Sequence, residues 1–197
     1  MESGVASDSD FVRAELTAHL VSSFAVAKII RDHEKPVNSL DFHHSGTLLA
    51  SAGSDDTLIF TEPQSGQVKN ILPVKKYGCG IIRFLYNTCT PNLLTASAAK
   101  GADDAIRALD LETCAYERYY VGHSARVVGL APSPKDPALF LSSSLDFTVS
   151  LWDARTRDPI GQISLNGRPA VAFDPKGLVF GVSYLDKGST QVKLYDA

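Results

Sequence analysis

Short apolar runs separated by polar turns dominate the chain from about residue 32 onward. The clearest set lies between residues 122 and 165 and consists of Arg126–Leu130, Ala138–Ser143, Thr148–Trp152 and Pro159–Leu165. Each run has the length and composition of a short strand. Polar or proline-containing segments separate the runs, as turns between antiparallel strands should. The pattern therefore predicts four short strands within about 43 residues.

The same arrangement recurs in three further units. The third strand of each unit passes through one equivalent position, which falls at Thr61, Leu109, Trp152 and Tyr195, spaced by 48, 43 and 43 residues. Four registers at nearly one period indicate an internal repeat. A repeat of this length with four strands per unit is typical of a β-propeller blade.

The third unit also resembles a WD repeat, because Gly122-His123 opens it and Trp152-Asp153 ends its third strand. We therefore predict an all-β fold, an incomplete WD40 β-propeller of about four blade units within residues 21–197. The expected boundaries are about 32–74 for blade 1, about 75–121 for blade 2, about 122–165 for blade 3 and about 166–197 for a partial blade 4.

Four residues of the third unit stand at the spacing by which WD repeats link strands: His123, Ser142, Asp146 and Trp152. In that family pattern the Trp N–H reaches the Ser hydroxyl, the Ser reaches the His, and the His reaches the Asp. Such a chain satisfies buried polar groups and stiffens a blade. Ser, His and Asp also form hydrolase triads, but Ser142 lies inside a predicted strand and not on a sharp elbow. We therefore interpret the four residues as structural, and expect no catalytic residue.

The other units keep this set only in part. The first carries Thr61 where the indole would stand, and the second carries Leu109 there, with Ser97 as the expected serine. We therefore expect blade 3 to be the best determined. Outside the third unit, the predicted members of the structural network are His33, Ser51, Asp55, Asp103 and Tyr195.

Composition excludes several classes of function. Hydrophobic residues make up 44% and charged residues 21% of the chain, and the net charge of −3 gives no electrostatic reason to expect nucleic-acid binding. No apolar run approaches the roughly 18 residues of a membrane helix, and the N-terminus lacks the pattern of a secretory signal. No phosphate-binding glycine motif occurs. We therefore expect no membrane association, no cofactor and no small-molecule ligand.

The remaining candidate ligands for a metal are cysteines and histidines. Cys79, Cys89 and Cys114 are odd in number, and their spacings match no zinc-ligand set. We interpret them as reduced thiols, which indicates the cytosol or the nucleus. The adjacent His43 and His44 would point in different directions, so we interpret them as surface turn residues. No metal site is predicted.

Longer segments carry a more specific resemblance, which covers about residues 20–197 in order. The chain resembles the WD-repeat subunit of COMPASS-type histone H3 lysine-4 methyltransferase complexes. The same family is found with a nuclear phosphatase complex and with mRNA 3′-end processing and termination factors. The segments that carry the resemblance are SSFAVAKIIRD at Ser22–Asp32, KKYGCGIIRF at Lys75–Phe84, YYVGHSARVVGLAPSP at Tyr119–Pro134 and SLDFTVSLWDAR at Ser144–Arg155.

The resemblance implies a non-catalytic scaffold in the nucleus. Family members recruit or stabilise a SET-domain methyltransferase at transcribed chromatin and help connect it to RNA polymerase II, while the transferase residues lie on another subunit. The implied partners are the SET-domain methyltransferase and other complex subunits. RNA polymerase II, a nuclear phosphatase and termination factors are further possible partners. We expect binding at the face that bears the turns between second and third strands and the loops that enter each first strand.

Alternative functions stay open at this point. A generic WD-repeat interaction module could serve as a histone-tail reader, although the loops offer no convincing aromatic cluster for a methyl-lysine cage. It could also serve as an mRNA 3′-end processing or termination factor. A serine hydrolase is the alternative from the enzyme class, and it fits the sequence poorly for the reasons given above.

The resembled family also implies that the chain is truncated. Family members have seven blades, and the N-terminal strand, here about 23–31, forms the outer strand of the final blade and closes the ring. This chain stops after the third strand of its fourth unit. We expect the segment Ser23–Arg31 either to close the fourth unit within the molecule or to leave edges that drive oligomers, and we favour the oligomers.

The first 20 residues are predicted to be disordered or briefly helical. Residues 1–9 are small, polar and acidic, which is typical of disorder. Asp10 is expected to cap a short helix that runs through about Leu20.

Overall fold

The chain divides into two compact units, Met1–Ile30 and Arg31–Ala197. The computed structural model describes residues 16–86, 92–97 and 103–197. The prediction of disorder for residues 1–9 therefore lies outside the described residues.

The described part of the smaller unit, from residue 16 onward, contains one short helix, α1 (Ala18–Ser22). Its N-cap is Thr17, whose extended backbone stops the helix and whose side chain accepts a hydrogen bond from the Leu20 N–H. A threonine oxygen at this position satisfies one of the unpaired N–H groups of the first turn. The predicted start of this helix at Asp10 lies outside the described residues; within them the helix begins after Thr17 and ends at Ser22, two residues beyond the expected Leu20.

The segment Ser23–Arg31 does not form the expected closing strand. Residues 24–33 have no regular secondary structure, and Phe24, Val26 and Ile29 are exposed. A strand persists only when its backbone N–H and C=O groups find a partner strand. All four sheets of the larger unit are built from strands within residues 37–196, and none includes this segment. The expectation of an intramolecular closing strand is therefore wrong.

Four antiparallel sheets make up the larger unit, and each lies within the range expected for the blade of the same number. The first contains β1 (Val37–Phe42), β2 (Leu49–Gly53), β3 (Thr57–Glu62) and β4 (Gln67–Pro73). The second contains β5 (Ile81–Phe84), β6 (Asn92–Ala96), β7 (Ile106–Asp110) and β8 (Ala115–Tyr120). The third contains β9 (Val127–Pro132), β10 (Leu139–Ser144), β11 (Thr148–Asp153) and β12 (Gly161–Ser164). The fourth contains β13 (Ala170–Phe173), β14 (Val179–Asp186) and β15 (Ser189–Asp196).

Strands within each sheet stand in sequence order, so neighbouring strands are joined directly along the chain. The positions that defined the repeat are also structurally equivalent. Each is paired with a residue at the same place in the second strand of its sheet. The pairs are Thr61 with Leu49, Leu109 with Leu93, Trp152 with Phe140, and Tyr195 with Phe180. The predicted all-β class and its repeat of small antiparallel sheets are confirmed.

Apolar cores fill the spaces between consecutive sheets. Since side chains alternate along a strand, each sheet serves both neighbours: Phe140 of β10 packs in the core with the second sheet, and Leu141 packs in the core with the fourth. The core between the second and third sheets is the most aromatic. There the Trp152 ring stacks on Phe140 with centroids 6.1 Å apart, and Tyr120 meets both rings edge-on.

The first strands of the sheets lie side by side, in the order β1, β5, β9 and β13. Side chains of β1 also bind the backbone of β5: the Phe84 N–H donates to Asp41 Oδ2 at 2.8 Å, and the Ile82 N–H donates to Ser39 Oγ at 3.3 Å. These bonds fix the first sheet against the second. Among the described residues, no comparable contact joins β13 to β1, so the row of sheets is open.

Both end sheets leave an apolar face exposed. On the first sheet Leu40 is 56% exposed, whereas Ile82, at the equivalent place in the second sheet, is fully buried. On the fourth sheet Val192 is 67% and Leu194 is 74% exposed. In the inner sheets of the row, the corresponding faces are covered by a neighbouring sheet.

A matched pair of leucine substitutions tests this arrangement. Leu94→Ala should lower the free energy of unfolding by about 2–5 kcal/mol, because Leu94 is fully buried in the core between the second and third sheets. Leu40→Ala should lower it by less than about 1 kcal/mol, because the side chain is half exposed. Urea unfolding followed by circular dichroism measures both, and equal losses would contradict the assignment of the cores.

Candidate functional site

A continuous chain of hydrogen bonds crosses the third sheet. Trp152 Nε1 donates to Ser142 Oγ at 2.8 Å, and this oxygen lies 2.6 Å from His123 Nε2. His123 Nδ1 lies 2.9 Å from Asp146 Oδ2. Because the indole N–H can only donate and the ionised carboxylate can only accept, the chain of hydrogen bonds runs from Trp152 through Ser142 and His123 to Asp146. The structure therefore brings together all four residues singled out in the third unit.

Asp146 also closes the turn between β10 and β11. Its carboxylate accepts the Ser124 N–H at 3.0 Å and both the N–H and the hydroxyl of Thr148, at 2.9 and 2.6 Å. Burial of the carboxyl group opposes its ionisation, but the hydrogen bonds from Thr148, Ser124 and His123 outweigh this and lower the pKa of Asp146 to about 2. The ionised carboxylate thus anchors both the histidine and the turn.

This geometry does not fit a hydrolase triad. Ser142 is fully buried, and its oxygen is already bonded to Trp152 and His123. A nucleophile must reach a substrate carbonyl, and an oxygen enclosed in a core cannot. The arrangement instead satisfies buried polar groups within a packed sheet.

The first sheet holds a shorter version of the chain. His33 Nε2 lies 2.8 Å from Ser51 Oγ, and His33 Nδ1 lies 3.2 Å from Asp55. Burial raises the pKa of Asp55, but hydrogen bonds from Thr57, the Glu34 N–H and His33 outweigh it and hold that pKa well below its usual range. With Thr61 at the place of the indole, Ser51 Oγ instead lies within reach of the Ile59 carbonyl oxygen, at 3.4 Å.

The second sheet builds a different network around Arg107, which is almost fully buried. Its Nη2 binds the carboxylate of Asp103, and its Nη1 donates to Ser97 Oγ at 2.6 Å and to the Ala105 carbonyl at 3.1 Å. The guanidinium also lies over the Tyr77 ring, 3.6 Å from its centroid. Tyr77 stands four residues before its first strand, as the two network histidines do.

Sequence reasoning placed Ser97 at the serine position of this sheet, and that assignment is wrong. Pairing puts Thr95 there, because Thr95 lies opposite Ile82 and Arg107 just as Ser142 lies opposite Leu130 and Ser150. Sequence reasoning also missed Arg107 entirely. The available signal was an arginine inside an apolar strand four residues after Asp103, since an arginine is rarely buried unless it is paired.

The fourth sheet keeps only the aromatic member. Tyr195 stacks on Phe180, with ring centroids 5.2 Å apart and planes 13° apart. Val182 occupies the serine position, opposite Val171 and Lys193. An apolar stack therefore replaces the hydrogen-bond chain in this sheet.

The remaining candidate ligands do not assemble into a site. Burial raises the pKa of Cys79 to about 12, so its thiol stays protonated; Cys89 is outside the described residues. The rings of His43 and His44 are 4.0 Å apart, and His43 Nδ1 bonds to Ser45 Oγ. Across residues 16–86, 92–97 and 103–197, no cluster of three His, Cys, Asp or Glu residues could hold a metal ion. No helix in these ranges is long and apolar enough to span a membrane.

Two openings lie against the first strands of the sheets, one where these strands begin and one where they end. Where these strands begin, a cavity of about 250 Å³ is bordered by Arg126, Val128, Leu145 and Arg168, among others. Where they end, a larger cavity of about 650 Å³ is lined by residues of all four sheets, including Phe42, Tyr86, Pro132 and Phe173. Both openings are concave surfaces that can receive another molecule.

The indole in the third sheet can be tested against the aromatic in the fourth. Trp152→Phe should lower the free energy of unfolding by about 1–3 kcal/mol, because buried Ser142 loses its donor. Tyr195→Phe should change it by less than about 0.5 kcal/mol, because the packing of the ring is kept. Thermal and urea unfolding compare the two; a Trp152→Phe protein as stable as the wild type would show that the network contributes nothing.

The low pKa of Asp146 predicts acid sensitivity. Since its folded pKa of about 2 lies below the value near 3.9 of an unfolded chain, its stabilising effect is complete above about pH 4 and is lost as pH falls toward 2. Asp146→Asn should therefore be less stable at pH 7 and lose less stability on acidification. Thermal midpoints from pH 7 to pH 2 measure this, with the exposed Asp158→Asn as control; parallel curves for wild type and Asp146→Asn would contradict it.

The repeat pattern has a counterpart among known protein families. The model of the family described as "WD domain, G-beta repeat" matches residues 15–60 and 114–153. These stretches include the first three strands of the first and third sheets, whose His–Ser–Asp hydrogen bonds are described above.

Several known proteins are similar to most of this chain. The chain is 38% identical to WD repeat-containing protein 82 of Drosophila melanogaster over 94% of its own length and 56% of the relative's. It is 35% identical to "Set1 complex component swd2" of Schizosaccharomyces pombe, over 84% of the chain and 45% of the relative. It is also 35% identical to "COMPASS component SWD2" of Saccharomyces cerevisiae, over 81% and 48%. The chain thus spans about half the length of these relatives. The chain thus carries WD40 repeats and is a homologue of the Swd2 components of the Set1 and COMPASS complexes.

Proposed function

We propose that this chain is a non-catalytic scaffold subunit of a nuclear histone H3 lysine-4 methyltransferase complex. The observation that carries the proposal is the similarity to two relatives whose names place them in the Set1 complex and in COMPASS, at 35% identity over more than four fifths of the chain. The partners of this chain would be the SET-domain methyltransferase and the other subunits of that complex.

The chemistry of the repeats supports a scaffold. The polar groups of the third sheet that could act on a substrate are bonded to one another inside the sheet, as Ser142, His123 and Asp146 are. What the molecule offers to partners is a set of turns and openings held by rigid strands. A surface of that kind binds without a large loss of conformational entropy.

The finer proposal concerns the setting of this scaffold. A subunit of such a complex would act in the nucleus, at transcribed chromatin, and would help connect the methyltransferase to RNA polymerase II. Contacts with a nuclear phosphatase or with termination factors are part of the same proposal, and they rest on the family resemblance alone. The expected binding face bears the turns between the second and third strands.

Co-purification tests this function. The full chain, carrying an affinity tag, is expressed in a cell that contains the SET-domain methyltransferase, and the bound proteins are identified by mass spectrometry. We expect the methyltransferase and its associated subunits, with histone H3 lysine-4 methyl transfer by the purified complex and none by the chain alone. Leu94→Asp, which places a charge in a core, serves as the unfolded control and should recover none of them.

The alternatives give different outcomes in the same experiment. Recovery of 3′-end processing factors without the methyltransferase would replace the proposal with a role in termination. Direct binding of isolated histone H3 tail peptides, again without the methyltransferase, would replace it with a tail reader.

A further inference from the structure

The turn between β10 and β11 borders the smaller opening and is held by several hydrogen bonds. The Leu145 N–H donates to the Arg126 carbonyl at 2.9 Å, and the Phe147 N–H donates to the Ser144 carbonyl at 3.2 Å. Ser144 Oγ donates to the Ala125 carbonyl at 2.7 Å. Together with the bonds that converge on the Asp146 carboxylate, these contacts hold the backbone of the turn.

This rigid turn displays two large apolar side chains. Leu145 is 41% and Phe147 is 46% exposed. Phe147 also has a φ of 63°, in the left-handed region that costs a bulky side chain energy. The equivalent residue of the first sheet is Asp56, whose φ is 59° and whose residue type tolerates this conformation better. A half-exposed phenylalanine in a backbone conformation that disfavours it costs the fold energy, which points to a role at the surface.

Positive charge borders the same turn. The cavity of about 250 Å³ is lined by Ile81, Arg126, Val127, Val128, Leu145 and Arg168. Arg126 and Arg168 are exposed, and neither guanidinium has a hydrogen bond or an ion pair with another described residue. The nearest carboxylate on the turn, that of Asp146, is already bonded to His123, Ser124 and Thr148. The opening therefore combines an apolar lining with two uncompensated cations.

We propose that this opening, lined by Leu145, Arg126 and Arg168, together with Phe147 of the same turn, docks a peptide segment of a partner in which an acidic residue stands beside a large apolar one. The apolar side chain would enter the cavity against Leu145, the exposed Phe147 ring would cover the peptide beside the cavity, and the carboxylate would pair with one or both guanidinium groups. A basic segment would be repelled by the two arginines. The inference deepens the proposed scaffold function, since it names the kind of segment that the scaffold holds.

Selection from a random dodecapeptide phage library tests the chemistry without a known partner. The full chain is the target, and phage that bind the double variant Leu145→Ser, Arg168→Gln are removed. We expect the recovered peptides to be enriched in Asp or Glu next to Leu, Ile or Phe. Recovery of basic peptides, or no enrichment over the starting library, would overturn the proposal.

Single variants then separate binding from folding. Arg126→Gln and Arg168→Gln should each lower the affinity for a selected peptide by about 3- to 10-fold, as measured by fluorescence polarisation. This loss of affinity should be smaller at high salt. Arg157→Gln, an exposed arginine beyond β11, is the control and should bind normally. Equal losses for all three arginines would refute a specific site.

Phe147→Asn is the sharpest variant, because asparagine tolerates the left-handed conformation better than phenylalanine does. This variant should leave the thermal midpoint unchanged or raise it. It should still weaken binding of the selected peptide by about tenfold. Unchanged peptide binding by Phe147→Asn would contradict the proposal. Selective peptide binding by a wild-type chain that recovers no methyltransferase would refute the proposed function and leave this inference standing. Recovery of the methyltransferase without selective peptide binding would refute this inference and leave the proposed function standing.

Discussion

Each small sheet of this chain has two apolar faces, and only a neighbouring sheet can cover them. The chain meets this constraint three times, with a core between each pair of consecutive sheets. The cost of not meeting it is visible at the ends of the row, where Leu40 lies in solvent while its counterpart Ile82 is fully buried. Stability in such a repeat is therefore a property of interfaces between sheets more than of any sheet alone.

Packing sheets face to face also buries polar groups, and these must then bind one another. The third sheet solves this with a chain of hydrogen bonds that ends on one carboxylate, Asp146, at the rim. The second sheet solves it with a buried guanidinium, Arg107, which needs Asp103, Ser97 and the Tyr77 ring around it. The fourth sheet avoids the problem by stacking Tyr195 on Phe180. Three chemistries thus fit one backbone geometry, which explains why the repeat is so uneven in sequence.

That unevenness sets what the sequence could predict. The period was visible because one position on each third strand, from Thr61 to Tyr195, recurs at nearly equal spacing, and the structure confirms that these positions are equivalent. Ser97 was misplaced because pairing register, and not distance along the chain, decides which side chain faces a core. The segment 23–31 was expected to be a strand because the resembled family has its closing strand there. A strand also needs a partner edge, which its own residues cannot reveal.

The same constraint links the interior to the surface. Because the hydrogen-bond chain of the third sheet ends on Asp146, the core and the turn after β10 are held by one carboxylate. A turn fixed in this way loses little freedom when something binds to it, so apolar side chains displayed there contribute more of their burial energy to affinity. The first sheet has a similarly held turn but carries Asp56 where the third carries Phe147. Two turns of one geometry thus differ in what they present, and binding chemistry can vary between repeats without any change in the strands that support it.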